Sequence, residues 1–236
     1  VVMQYDSIGN MTQKGNTTFT WTQGRKLESV NNGKKIRYYY DHAGNRVKKT
    51  VDNVTTEYCM AGDLLVTEKG EGRRIWYYYD SAANPVSMRV SGKDYFYVRN
   101  LQNDVIALID DTGETVVEYK YNSWGKILSI TGSKAGTIGK TNPFRYRGYY
   151  YDEETGMYYL KNRYYDPEIR RFISADSYKV VMSSLKTLDN RNLFSYCGQN
   201  PINRNDEYGA IWNLIASFAV GAGVSIGCQI VLERKS

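Results

Sequence analysis

Tyr40-Asp41-His42-Ala43-Gly44-Asn45-Arg46 decides the fold. The run Ile36-Arg37-Tyr38-Tyr39-Tyr40 leads into it, and Val47-Lys48-Lys49-Thr50-Val51 leads out. Runs rich in aromatic and β-branched residues are strand material. Between them, Asp41 is placed to bond the backbone ahead of it. Gly44 can take the positive φ that a Cβ resists. The stretch therefore predicts two strands joined by a tight turn. It recurs as Tyr5-Asp6-Ser7-Ile8-Gly9-Asn10, and in degenerate form as Tyr79-Asp80-Ser81-Ala82-Ala83-Asn84 and Tyr121-Asn122-Ser123-Trp124-Gly125-Lys126. Trp21-Thr22-Gln23-Gly24-Arg25 is a half-copy. After the turn Asp110-Asp111-Thr112-Gly113, the run Thr115-Val116-Val117-Glu118-Tyr119-Lys120-Tyr121 alternates in the strand manner. Hairpins side by side bury one face collectively, where a lone hairpin is marginal. Few helices are expected before about residue 175.

Composition agrees. There are 23 tyrosines but only 6 phenylalanines, and 21 glycines against 4 prolines. Tyrosine suits a pleated surface and tolerates a half-wet position. The sequence opens in mid-repeat at Val1, so a longer protein with further repeats is expected, and the first strand should present an open edge. The formal charge of +6 hints at acidic partners, but Lys and Arg are spread along the chain, which reads as a mixed solvated surface. One histidine, His42, lies in a turn signal, and Cys59, Cys197 and Cys228 form no CxxC. No metal site, cofactor or disulfide framework is expected from these residues. No nucleophile elbow, phosphate loop or dinucleotide fingerprint occurs either, so an enzyme acting on other molecules is not expected.

The hairpin units resemble YD repeats, with Tyr40, Asp41, Gly44 and Arg46 the best copy. Tyr97-Val98-Arg99-Asn100-Leu101-Gln102-Asn103-Asp104-Val105 resembles the segment before an Rhs core. Pro143-Phe144-Arg145-Tyr146-Arg147-Gly148-Tyr149-Tyr150-Tyr151-Asp152 opens the longest match. It continues through Glu154-Thr155-Gly156-Met157-Tyr158-Tyr159, Asn162-Arg163-Tyr164-Tyr165-Asp166-Pro167, Arg171-Phe172-Ile173-Ser174-Ala175-Asp176 and Asn192-Leu193-Phe194-Ser195-Tyr196. This is similar to the Rhs repeat-associated core domain. The resemblance implies a mostly β fold, consecutive β-hairpins forming part of a YD-repeat shell, with a short helical C-terminal region. It divides the chain into a YD-repeat region at 1–142, a core domain at 143–210 and an apolar pre-toxin or plug segment at 211–236. Such proteins are secreted or cell-surface bacterial toxins of competition and wall association, whose shell holds a C-terminal effector. The implied partners are that effector or pre-toxin segment, the remaining YD repeats, an immunity protein and a cell-wall or cell-surface glycan. No nucleic acid is expected, because the aromatics follow strand periodicity.

Self-cleaving relatives carry two Asp-Pro-x-Gly motifs near the end of the core and cut after the Leu that follows the second. Asp206-Glu207-Tyr208-Gly209-Ala210 aligns with the second motif, with Glu207 for Pro and Ala210 for Leu. At the first, Asp176-Ser177-Tyr178-Lys179, only the aspartate remains. The resemblance makes Asp176 and Asp206 an aspartyl-protease-like pair, with autoproteolysis of the Ala210–Ile211 bond after Gly209. Two close carboxylates share one proton, so one polarises the scissile carbonyl while the other activates water. Arg171 is the residue expected to hold the carboxylates or the oxyanion. The other reading makes Asp206 and Gly209 a turn and Asp176 an element end.

Asp152-Glu153-Glu154-Thr155-Gly156 is read as a hairpin turn rather than a glycosidase pair or cation site with Asp166. From Ile211 to Leu232 no residue is charged. That segment fits a buried plug helix, a membrane-contacting segment through 211–232, or a loose tail. Two functions stay open: a scaffold that encloses or presents an effector, and a carbohydrate- or cell-surface-binding adhesion module without toxin release. Tyr40, Tyr79, Tyr121, Trp124, Phe144, Tyr165, Phe172 and Phe194 are expected to be largely buried. Gly44, Gly113, Gly156 and Gly209 are expected in turns.

Overall fold

The computed structural model describes residues 1–176, 192–206 and 213–214. The chain packs as two compact units, one drawing on residues 1–56 and 151–215, the other on 57–150. Both are built of consecutive antiparallel hairpins.

In the first unit β1 (Met3–Tyr5), β2 (Met11–Lys14), β3 (Thr17–Thr22), β4 (Lys26–Asn31), β5 (Lys35–Tyr40) and β6 (Arg46–Val51) pair in chain order. Alternation decides which face is apolar. Along β5, Ile36 and Tyr38 are buried while Lys35, Arg37 and Tyr39 are exposed. The buried face is covered by β15 (Tyr150–Asp152), β16 (Met157–Leu160), β17 (Arg163–Asp166) and β18 (Arg171–Phe172), which form their own sheet. Met11, Phe19, Leu27, Val30, Ile36 and Tyr38 from the hairpins meet Met157, Tyr164 and Ile173 in one core. Each such side chain contributes about 1.5–3 kcal/mol by leaving water. The two layers also share backbone bonds. Met11 N–H donates to Ile173 O at 2.8 Å, and Ala175 N–H donates to Gly9 O at 3.0 Å. The segment after β18 is thus paired to the first repeat.

β7 (Val54–Ala61) leads into the second unit. There β8 (Leu64–Gly70), β9 (Arg73–Tyr79), β10 (Pro85–Val90), β11 (Lys93–Arg99), β12 (Val105–Asp110), β13 (Thr115–Tyr121) and β14 (Ile127–Thr131) again pair in chain order. A π-helical turn at Ala135–Gly139 and a 3-10 turn at Tyr146–Gly148 then bring residues 142–149 against this sheet. Phe144 meets Tyr77 edge-on at 5.0 Å, with Tyr79, Tyr97 and Tyr150 around it. Edge-to-face contacts are the favoured aromatic geometry.

The repeat turns share one construction. The side-chain oxygen Oδ1 of Asp6, Asp41, Asp80, Asn100, Asp110 and Asn122 in each case accepts the N–H four residues on. The residue three positions on has positive φ: Gly9, Gly44, Ala83, Asn103, Gly113 and Gly125. Gly44, Gly113 and Gly156 therefore sit in turns as expected, and Gly209 lies outside the described residues.

Burial of the repeat tyrosines differs from expectation. Phe144, Tyr165 and Phe172 are buried, but Tyr40, Tyr79, Tyr121, Trp124 and Phe194 are only half-buried. For the three tyrosines the cause is the hydroxyl. At the end of its strand, the Tyr40 hydroxyl donates to Leu27 O at 2.9 Å, Tyr79 to Leu65 O at 2.7 Å and Tyr121 to Val105 O at 2.8 Å. Each ring stands at the rim to reach a carbonyl of the preceding hairpin. The fully enclosed positions lie two residues earlier on the same face, at Tyr38, Tyr77 and Tyr119.

Toward the C-terminus, β19 (Arg204–Asn205) pairs with β20 (Asn213–Leu214), so Asn213 and Leu214 of the apolar segment are strand. The helical C-terminal region expected beyond them lies outside the described residues. Among the described residues no helix is long and apolar enough to cross a membrane.

Candidate functional site

Asp176 ends the segment that pairs with the first repeat, and its own N–H donates to Leu193 O at 3.1 Å. Asp206 directly follows β19. Between them lies Arg163 of β17. One terminal nitrogen, Nη2, sits 3.2 Å from Asp176 Oδ2 and 3.4 Å from Asp206 Oδ2. Both aspartates predicted from the sequence are therefore brought to a single nitrogen. The other terminal nitrogen donates to Leu193 O at 3.2 Å, and the guanidinium lies over the Phe172 ring, 3.7 Å from its centroid. Arg163 and Asp206 are buried, and Asp176 retains some contact with solvent. Burial pulls the Arg163 pKa down from its ordinary value, while Asp176 and Asp206 push it back up. It remains a cation, because a guanidinium is not deprotonated in proteins.

Arg171 does not take this place. It is half-buried, its backbone pairs with Asp166 and bridges Ser195, and strand alternation turns its side chain away from the Phe172 face. The cation is supplied one strand earlier. A second cation among the described residues, Arg25, donates to Ala175 O at 2.6 Å and so holds the backbone just before Asp176. Gly209, Ala210 and Ile211 lie outside the described residues.

The second acidic cluster is consumed by structure. Asp152 is fully buried and bonded by Arg46 and, at 3.1 Å, by Lys49. Lys49 also meets Glu154 at 2.9 Å, and Asp166 is bonded by Lys14. Gly156 N–H donates to Asp152 O, closing the expected turn. Burial raises the Asp152 pKa, but Arg46 and Lys49 outweigh it and hold the carboxyl below its ordinary value. Arg46 is the arginine of the best repeat. Its guanidinium is 4.5 Å from the Tyr159 ring centroid and 5.2 Å from that of Tyr38. Among the described residues no group of histidine, cysteine and acidic side chains is placed to hold a metal ion.

The hairpin ladder, its Asx turns and the covering sheet together can be compared with known proteins. The teneurin YD-shell family matches residues 1–202. The chain belongs to the YD-shell family. Two curated relatives agree with this. The tRNA3(Ser)-specific nuclease WapA of Bacillus spizizenii is 36% identical over 231 residues, covering 94% of this chain and 10% of that protein. The double-stranded DNA deaminase toxin A of Burkholderia cenocepacia is 31% identical over 113 residues, covering 48% of this chain and 7% of that one. Among solved structures, the TcdB2-TccC3-Cdc42 crystal structure superposes with a TM-score of 0.71 at 19% identity, covering 87% of this chain and 11% of that one. The YD-shell chain described here thus spans about a tenth of the length of these relatives.

Proposed function

We propose that this chain is the closing end of a YD-repeat shell that encloses or presents a C-terminal effector in a secreted or cell-surface bacterial toxin. The observations that support the proposal are the pairing of residues 173–175 with the first repeat, just before Asp176, and the approach of Asp176 and Asp206 to one nitrogen of Arg163. Relatives whose names denote a tRNA nuclease and a DNA deaminase toxin support an effector beyond the shell.

The same trio supports single-turnover cleavage of the Ala210–Ile211 bond. Arg163 and two carboxylates carry one net negative charge in a largely dry site, and one shared proton neutralises it. That leaves one acid to polarise the scissile carbonyl and one base to activate water. Arg163 positions both. The nucleophile is water and the substrate is the chain itself, so the reaction is intramolecular and a modest site suffices for one event.

Intact mass spectrometry of the purified chain over several days at several pH values tests this. The expected species ends at Ala210, with Asp176→Asn and Asp206→Asn remaining whole. A wild-type chain that stays whole throughout contradicts cleavage. A second reading, an adhesion module binding carbohydrate, is favoured by aromatic rings exposed on β9.

A further inference from the structure

Asn32 is the one asparagine of the sequence that a glycine follows. It opens the turn Asn32-Gly33-Lys34 between β4 and β5, closed by the pairing of Asn31 with Lys35. All three turn residues are exposed. Glycine has no Cβ to crowd its backbone nitrogen. The nitrogen of Gly33 is therefore open toward the side-chain amide of the residue before it. A Cβ placed on Gly33 would meet nothing within 4 Å, so the turn also has room to rearrange.

The hydrogen bonds of the turn favour an attack. Asn32 Oδ1 accepts the Lys34 N–H at 3.3 Å, which folds the side chain back over its own backbone. The same N–H faces the oxygen on which negative charge develops when the amide carbon is attacked. The Gly33 N–H donates to Asn31 Oδ1 at a long 3.3 Å, so no bond of the sheet ladder has to break to free it. Asn100 and Asn122 make the same bond to the N–H two residues on, at 2.9 Å each, but Leu101 and Ser123 follow them. There a side chain shields the nitrogen that would attack. The other amide atom of Asn32, Nδ2, donates to Glu154 O at 2.8 Å. Glu154 lies between β15 and β16 of the covering sheet, in the same compact unit.

We propose that Asn32 is a self-modification site, where the Gly33 nitrogen displaces the side-chain amide and so removes a fastening between the β4–β5 hairpin and the covering sheet. The bond from Gly33 N to Asn32 Cγ forms and the Cγ–Nδ2 bond breaks. The amide nitrogen leaves as ammonia, taking the Gly33 proton with it. Water then opens the cyclic imide at either carbonyl, leaving aspartate or isoaspartate at position 32. The nucleophile and the electrophile are neighbours in one turn, so the reaction is intramolecular. Either product puts a carboxylate oxygen where Nδ2 donated. Two acceptors then face each other at Glu154 O, and the bond across the layers is lost. Isoaspartate also lengthens the backbone of a turn that the Asn31–Lys35 pairing holds short.

The site is independent of both the cleavage and the adhesion readings. The test incubates the complete folded chain at mildly alkaline pH in heavy-oxygen water and maps it by peptide mass spectrometry, with isoaspartate scored by isoaspartyl methyltransferase. Asn32 is expected to convert, with label taken up, well before Asn100 and Asn122. Conversion is expected to be at least about tenfold slower in Gly33→Ala. The converted chain, separated by ion exchange, is expected to unfold at a lower temperature than the unconverted one, and Asn32→Asp is expected to reproduce the shift. An Asn32 that stays intact in the folded chain would overturn the site. Equal conversion in a folded Gly33→Ala variant would overturn attack by the Gly33 nitrogen. Equal unfolding temperatures for the converted and unconverted chains would overturn the fastening. If Gly33→Ala fails to fold, Asn32→Gln, whose longer side chain disfavours the ring, gives the same comparison.

Discussion

Arg46 of the best-formed repeat donates to the fully buried carboxylate of Asp152, where the covering sheet begins. Lys49 and the Tyr164 hydroxyl complete the contact. The arginine of the repeat motif is therefore a fastening between the hairpin layer and the layer that covers it. Removing one partner strands a buried charge, which costs about 3–5 kcal/mol. Arg46→Met is expected to lower the unfolding free energy, read from urea titration, by that amount. Arg46→Met combined with Asp152→Leu is expected to cost less than Arg46→Met alone.

The same pair sets the acid limb of stability. Burial alone would raise the Asp152 pKa, but Arg46 and Lys49 hold it below the ordinary 3.8. A depressed folded pKa gives stability that is present above the unfolded value and lost as pH falls through the folded one. Wild type is therefore expected to lose stability below about pH 4, at up to about 1.4 kcal/mol per pH unit from this group. Asp152→Asn, though less stable at neutral pH, is expected to show a shallower acid limb in urea titrations at stepped pH.

Tyr40, Tyr79 and Tyr121, on every second hairpin, make the same bond from a hydroxyl to a carbonyl of the preceding hairpin. Replacing each by Phe is expected to cost about 0.5–1.5 kcal/mol. Tyr39→Phe removes no such bond and is expected to be close to neutral. Urea midpoints of the four variants check this.

Gly24 and Gly125 have nearly the same positive φ, +81° and +82°. A Cβ on Gly24 meets nothing within 4 Å, whereas one on Gly125 comes 2.5 Å from the Tyr146 ring. Gly24→Ala is expected to cost about 1 kcal/mol from backbone strain alone. Gly125→Ala adds a further 1–3 kcal/mol, roughly, from displacing the ring. Thermal unfolding of the two variants separates strain from overlap.

The hairpins were legible because their determinants are local. Asp41 and Gly44 specify a turn from side-chain reach and φ alone, and Ile36 and Tyr38 alternate with Arg37 and Tyr39. The turn at Asn100–Asp104 was harder to see, since Asn103 takes the left-handed position without a glycine. The aspartate pair was legible only through family resemblance. The cation was not: Arg163 and Arg171 both sit in short strands of the core, and which one faces Asp176 depends on how β17 and β18 pack. The half-burial of Tyr40 follows from a carbonyl on the preceding hairpin, at Leu27, which no spacing rule specifies.

The central claim is that the segment after β18 is built into the hairpin sheet, and that this carries Asp176 to Arg163. Hydrogen exchange at the Met11 and Ala175 amides tests it most directly, because they donate to Ile173 and Gly9 across the two layers. Their protection is expected to match that of the β4–β5 amides of Val30 and Tyr38, exchanging only when the unit opens as a whole. Exchange of Met11 and Ala175 at unprotected rates, while Val30 and Tyr38 stay protected, would contradict the account.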